Sequence, residues 1–211
     1  MNFKLKLFFL LLTTSTLIAF PQLSKENAAI IGKLTNQINA SPNSVELRFE
    51  LAMAYAYTGW IELGWDQLSL IPKLSNDYHQ TVYNKYYPIT QKEPNNLNAH
   101  FKLAFAYHVL GKKELAIESF KKVLEIKPDH VWSMGLIALI YGEKKDYNTG
   151  IKWCQKALKI NNDATAIHFL LGAAYYETGN YFGVLGESLS VGRLKSIEAK
   201  YRPTPPIGLP E

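Results

Sequence analysis

Apolar residues recur along this chain at the spacing of amphipathic helices, and the whole arrangement returns every 34 residues. Two apolar runs, 101–107 and 115–124, are separated by a short polar stretch, which predicts a pair of helices joined by a turn. Three positions repeat at this interval: Leu103, Ile137 and Leu171; Ala104, Ala138 and Gly172; Tyr107, Tyr141 and Tyr175. Neither helix of such a pair can bury its apolar side alone. The pattern therefore predicts an all-α fold of stacked helical pairs.

Upstream of these units the period is interrupted. Tyr55 repeats the tyrosine position, but it lies 52 residues before Tyr107, which is 18 more than one period. Eighteen residues suffice for one helix and a turn, and we predict that this extra helix spans 78–92. Pro72 and Pro88 lie within apolar runs of this region and are predicted to end or kink helices.

The repeated residues resemble the tetratricopeptide repeat, whose first helix carries a Leu-small-x2-Tyr pattern and whose second helix carries alanine, an aromatic residue and a closing proline. Unit 97–130 matches this signature best, with Ala116, Phe120 and Pro128 in place. Further units are predicted near 45–78, at 131–164 and at 165–198, the last being degenerate in its second half. The resemblance implies a right-handed solenoid of helical hairpins over residues 24–200, with an irregular helical insertion.

In this family the first helices line a concave surface that binds a partner. Carried over to this chain, the resemblance implies a protein-binding groove. Its predicted residues are Phe101, Phe105, His108, Trp132, Leu139, Phe169 and Tyr176, extended upstream by Phe49 and Met53. The alternative is that several of these rings pack against neighbouring repeats. Chaperone-binding members of the family carry lysine and asparagine where this chain has Phe101 and Phe105, so binding of chaperone tails is disfavoured.

Composition and charge exclude several classes of function. The formal charge is +5, but the lysines alternate with acidic residues, which is typical of solvated helix faces and not of a nucleic-acid interface. The single cysteine, Cys154, permits no internal disulfide and stands where the repeat expects a buried aromatic residue. The five histidines form no convergent ligand set. We therefore expect no enzyme, no metal site and no cofactor.

The N-terminus resembles an export signal. Two lysines precede an apolar segment at 7–20, which as a helix would span about 21 Å and so fall short of the ~30 Å core of a bilayer. Residues 1–20 are predicted to be a cleaved signal peptide or a retained membrane anchor, and either one places the body outside the cytoplasm, in the periplasm or beyond, or tethered to the membrane facing outward. At the other end, residues 201–211 are rich in proline and predict an extended, disordered tail.

These observations lead to a functional hypothesis. We predict an exported or membrane-tethered scaffold that binds a segment of a partner protein in its groove, for the assembly of an envelope or membrane complex. The alternative is a structural subunit that associates with itself through the ends of its solenoid and has no separate client. The sequence leaves the partner and the oligomeric state open.

Overall fold

The computed structural model describes residues 25–58, 60–198 and 206. The predicted export segment 1–20, and the tail 201–211 apart from Pro206, lie outside the described residues. The described residues contain ten helices and no strand. The helices are α1 (Lys25–Ala40), α2 (Val45–Thr58), α3 (Ile61–Leu74), α4 (Tyr78–Lys92), α5 (Leu97–Val109), α6 (Lys113–Ile126), α7 (Val131–Glu143), α8 (Tyr147–Ile160), α9 (Thr165–Glu177) and α10 (Tyr181–Glu198).

Four helical pairs form the repeat, namely α2–α3, α5–α6, α7–α8 and α9–α10, and the members of each pair pack on each other. The turn within each pair has the same geometry. The carbonyl oxygen of the repeated tyrosine accepts a hydrogen bond from the backbone N–H five residues later, at 2.9 Å for Tyr55, 2.8 Å for Tyr107 and 2.9 Å for Tyr141 and Tyr175. The repeated tyrosines therefore stand at equivalent turns in all four pairs.

The turns also require an unusual backbone conformation. Gly111 and Gly179 have φ angles of 74° and 76°, in the left-handed region that glycine adopts without steric cost. Lys145 occupies the same repeat position with φ 62°, although its side chain disfavours this conformation. Three units thus share the same turn conformation, and unit 131–164 adopts it with Lys145, a residue that disfavours positive φ.

The predicted extra helix is present as α4, with the predicted bounds. It packs directly against α5, as α6 packs against α7 and α8 packs against α9. The prolines do not end helices where they stand, because Pro72 lies inside α3 and Pro88 lies inside α4. Both are in the last turns of their helices, where the helix continues for only two and four further residues.

The insertion is joined to the body by a buried polar network. The Nζ of Lys102 on α5 donates to Glu50 on α2, 2.7 Å from Oε1, and to the hydroxyl oxygen of Tyr86 on α4 at 3.1 Å. The Tyr86 hydroxyl in turn donates to Glu50 at 3.0 Å. The Lys102 side chain is only 8% exposed. Packed between α4 and α6, α5 is buried along its whole middle, from Ala99 to Tyr107.

Candidate functional site

Among the first helices of the repeat units, α7 and α9 carry apolar side chains that are not fully buried. Trp132, Leu136 and Leu139 follow one side of α7 at helical spacing and are half-buried. The same repeat positions on α9 hold Ala166 and Leu170, which are half-buried, and Ala173, which is exposed. Since α7 packs directly against α9, these six residues form one apolar surface, which we call the α7–α9 face.

The α7–α9 face has a step, because its side chains on α7 are larger than those at two equivalent positions on α9. Large side chains, Trp132 and Leu139, stand on α7, whereas alanine occupies both equivalent positions on α9. A side chain from another molecule could therefore lie over α9 and against the sides of the α7 residues. The arrangement offers apolar contact and shape, and these are the features by which a protein segment is recognised.

One end of this face is bordered by charged groups. Glu143, in the last turn of α7, accepts hydrogen bonds from Lys113 Nζ and pairs with His108 Nε2, each at 2.9 Å. Partial burial acts to raise the pKa of Glu143, but the hydrogen bonds from Lys113 and His108 outweigh it and the pKa is lowered. The carboxylate is therefore ionised and its position is fixed by the neighbouring unit.

Phe101 and Phe105 were predicted to line the groove, and the structure shows them in the core instead. Phe101 is 2% exposed and Phe105 is 7% exposed. Both rings pack edge-on against Phe120 of α6, with ring centroids 5.8 Å and 5.7 Å apart. Phe101 also meets His130, the residue that caps α7. The upstream candidates Phe49 and Met53 are buried as well, so these four residues present no surface to a partner.

For Phe101 the reason is that the fifth residue of a unit faces the next unit and not the groove. At this position Phe101 is covered by His130, and Gly135 is so close to α9 that an added Cβ would lie 3.2 Å from the Ile167 side chain. Phe169 occupies the same position in the last unit and is 65% exposed. Tyr176, 64% exposed, lies on the same side of α9. Of the predicted residues, only Trp132 and Leu139 belong to the α7–α9 face, with His108 at its border.

The remaining polar candidates have structural roles. His100 and His168 occupy the same repeat position, and each contacts the carbonyl oxygen six residues earlier. The Nε2 of His100 lies 3.0 Å from the oxygen of Pro94, and the Nε2 of His168 lies 2.8 Å from that of Asn162. Arg48, again at the same position, donates from Nε to the carbonyl of Pro42 at 2.8 Å. These side chains tie α2, α5 and α9 to the loops that precede them. The sequence analysis considered the histidines only as possible metal ligands and did not identify Arg48, although its six-residue spacing from Pro42 equals that of His100 from Pro94.

The described residues contain no group of three or more histidine, cysteine or acidic side chains able to hold a metal ion. Cys154 is buried as predicted, and burial raises the pKa of its thiol to about 12. Within the same part of the chain, none of the helices has the length and apolarity needed to cross a membrane.

Comparison with known proteins supports the repeat assignment. Two models of the tetratricopeptide repeat match, one at residues 97–130 and the other at 133–163. A putative cargo-transport protein, ypp1, from Schizosaccharomyces pombe is 29% identical over 101 residues, which cover 44% of this chain but only 12% of the yeast protein.

Solved structures of MamA share the fold. A double mutant of MamA from RS-1 is 17% identical and has a TM-score of 0.54, with 94% of this chain and 98% of that chain covered. MamA 41-end from Desulfovibrio magneticus RS-1 is also 17% identical, with a TM-score of 0.53 and coverage of 93% and 97%. At this identity the likeness shows the fold alone, an all-α helical repeat.

Proposed function

We propose that this chain, which is a tetratricopeptide repeat protein, acts as an interaction scaffold that binds an apolar segment of a partner protein on the α7–α9 face. The observation that carries the proposal is the set of large apolar side chains left half-buried there, Trp132, Leu136 and Leu139 on α7 beside Leu170 on α9. Side chains in the middle of α5 at the same positions are buried, so the α7–α9 face is a specific site and not a general property of first helices.

The proposed partner segment is short and apolar, because two helices with about two turns each of exposed apolar surface can contact only a few side chains. One bulky residue of the partner would occupy the step over Ala166 and Ala173, beside Trp132. The match to a putative cargo-transport protein supports a binding role over a catalytic one.

The test is site-specific photo-crosslinking in cells, followed by affinity measurement with the captured partner. A photoreactive residue at Leu139 should crosslink a partner protein, and the same residue at Lys121, on the exposed side of α6, should not. Leu139→Glu should then weaken binding of that partner by about tenfold or more, while Lys121→Glu should leave it unchanged.

The melting temperature of each variant separates loss of binding from loss of fold. Equal crosslinking at Leu139 and Lys121, or unchanged affinity of a stable Leu139→Glu variant, would exclude the α7–α9 face.

We further propose that the body acts outside the cytoplasm, either exported or tethered through residues 7–20, and that its partner belongs to an envelope or membrane complex. Support comes from the basic start and short apolar segment of the sequence. Fractionation of cells that express the full chain, compared with a chain lacking residues 1–20, tests this proposal. Full-length protein found only in the cytosol would contradict it.

A further inference from the structure

The second helix of the last unit departs from the polar pattern of its equivalents. The eighteenth residue of the unit is Glu62, Glu114 and Asn148 in the earlier units, all exposed, but Phe182 in the last. The twenty-fifth residue is Ser69, Lys121 and Gln155 in the earlier units, again exposed, but Leu189 in the last. Phe182 is 92% exposed and Leu189 is 68% exposed. These two positions face solvent even in units that have a neighbour on both sides, so the end of the repeat array alone does not explain apolar residues there.

Phe182 and Leu189 belong to a larger apolar surface, which we call the end face. It consists of Phe169 and Tyr176 on α9 and of Tyr181, Phe182, Leu185 and Leu189 on α10, each between 59% and 92% exposed. The ring centroids of Tyr176 and Tyr181 are 6.4 Å apart, so the part of the end face on α9 is continuous with the part on α10. In unit 97–130 the equivalents of Phe169 and Leu185 are Phe101 and Ile117, which are 2% and 5% exposed because unit 131–164 covers them.

The end face is large enough to form a protein interface. A whole aromatic side chain presents about 150–250 Å², so the four exposed rings together present roughly 400–700 Å². The two leucines bring the surface close to the ~800 Å² that each partner contributes to a standard interface, and above the ~300–600 Å² of the largest apolar patch on a typical monomer.

Charge does not oppose contact between two such surfaces. Between Tyr181 and Gly192 the only charged residue is Glu187, and its carboxylate is 2.5 Å from the Nδ1 of His168 on the inner side of α10. Gly192 is exposed one turn from Leu189, so another helix could approach the backbone closely.

We propose that the end face binds the end face of a second copy of this chain, about a twofold axis that crosses α10 near Leu185. The opposite end of the repeat array is a poorer match, because the described side chains of α1 expose Lys33, Asn36 and Asn39 and one large apolar residue, Ile30. Contact between identical surfaces closes the assembly at two copies. The end face and the α7–α9 face share α9 but have no residue in common, and the dimer does not depend on the function proposed above.

The test uses sedimentation of the full chain together with a variant built from residues that the repeat already accepts. Phe182→Glu with Leu189→Lys reproduces the residues of unit 97–130 at these positions. The unmodified chain should sediment as a dimer, and the variant should dimerise at least thirtyfold more weakly. At a concentration low enough for both chains to be monomeric, their melting temperatures should be equal. The matched control, Asn148→Glu with Gln155→Lys, introduces the same residues at the same positions of α8 and should remain dimeric.

A disulfide measurement gives a second readout that does not depend on charge. Because Cys154 is buried, Leu189→Cys provides the only accessible thiol among the described residues and should yield a disulfide-linked dimer, whereas Gln155→Cys should not. A chain that stays monomeric at about 100 µM would overturn the proposal and would mean that its own tail or another protein covers the end face. So would a dimer that persists in the charged variant, or oligomers that keep growing with concentration.

Discussion

The buried network of Glu50, Tyr86 and Lys102 predicts how strongly the inserted helix is held. Glu50→Gln keeps the size of the side chain and removes its charge, so the ammonium of Lys102 retains only neutral acceptors. At an effective dielectric constant near 20, opposite charges about 4 Å apart attract by about 4 kcal/mol. The Glu50 side chain is 28% exposed, and water together with the remaining amide oxygen will offset part of the loss. We expect destabilisation of about 2–3 kcal/mol, slightly below the ~3–5 kcal/mol typical of a broken, fully buried pair.

The measurement is urea denaturation of the purified chain, combined with a double-mutant cycle. Lys102→Met in the Glu50→Gln background removes both charges and should restore stability to within about 1 kcal/mol of the unmodified chain. Glu46→Gln is the matched control, because Glu46 lies one turn before Glu50 on α2 and pairs with Lys85 on α4. Both of those side chains are at least half exposed, so this change should cost less than about 1 kcal/mol.

Equal, small losses of unfolding free energy in Glu50→Gln and Glu46→Gln would refute the reasoning. It would also be refuted by a double variant as unstable as the sum of the two single changes. Either result would mean that α4 is not held against α5 by this network.

Two further predictions concern the repeat itself. Lys145→Gly should stabilise the chain by about 0.5–1 kcal/mol, because glycine adopts the positive φ at this turn without cost, whereas Gly111→Ala should destabilise it. Chemical denaturation of both variants measures the two effects, and stabilisation by both changes would contradict the turn geometry. Replacement by alanine should cost about 3–5 kcal/mol at Tyr107, which is 6% exposed, and clearly less at Tyr141 and Tyr175, which are half-buried. Urea denaturation of the three variants measures these losses, and equal losses would show that burial of the ring does not control stability at this position.

The fold was predictable because its determinants are local and periodic. The 34-residue spacing of the tyrosines gave the hairpin register, and the excess of 18 residues located α4. The place where α4 packs was harder to predict, yet the sequence contains a signal for it. Glu50 and Lys102 occupy the sixth position of their units, where Leu136 and Leu170 stand in the others. Opposite charges at one position of an apolar helix indicate a buried pair, and this pair identifies the two first helices that the insertion brings together.

The candidate site was less predictable, because in a repeat protein the exposure of a position depends on which unit follows it. Phe101 and Phe169 have the same side chain at the same repeat position, and they differ in exposure from 2% to 65%. The family's positional rule assigned both to one groove, but the structure assigns Phe101 to the core and Phe169 to the end face. A change of residue type within one position is more informative. Where three units have polar residues and the fourth has Phe182 or Leu189, no neighbouring unit accounts for the difference, and an additional contact surface does.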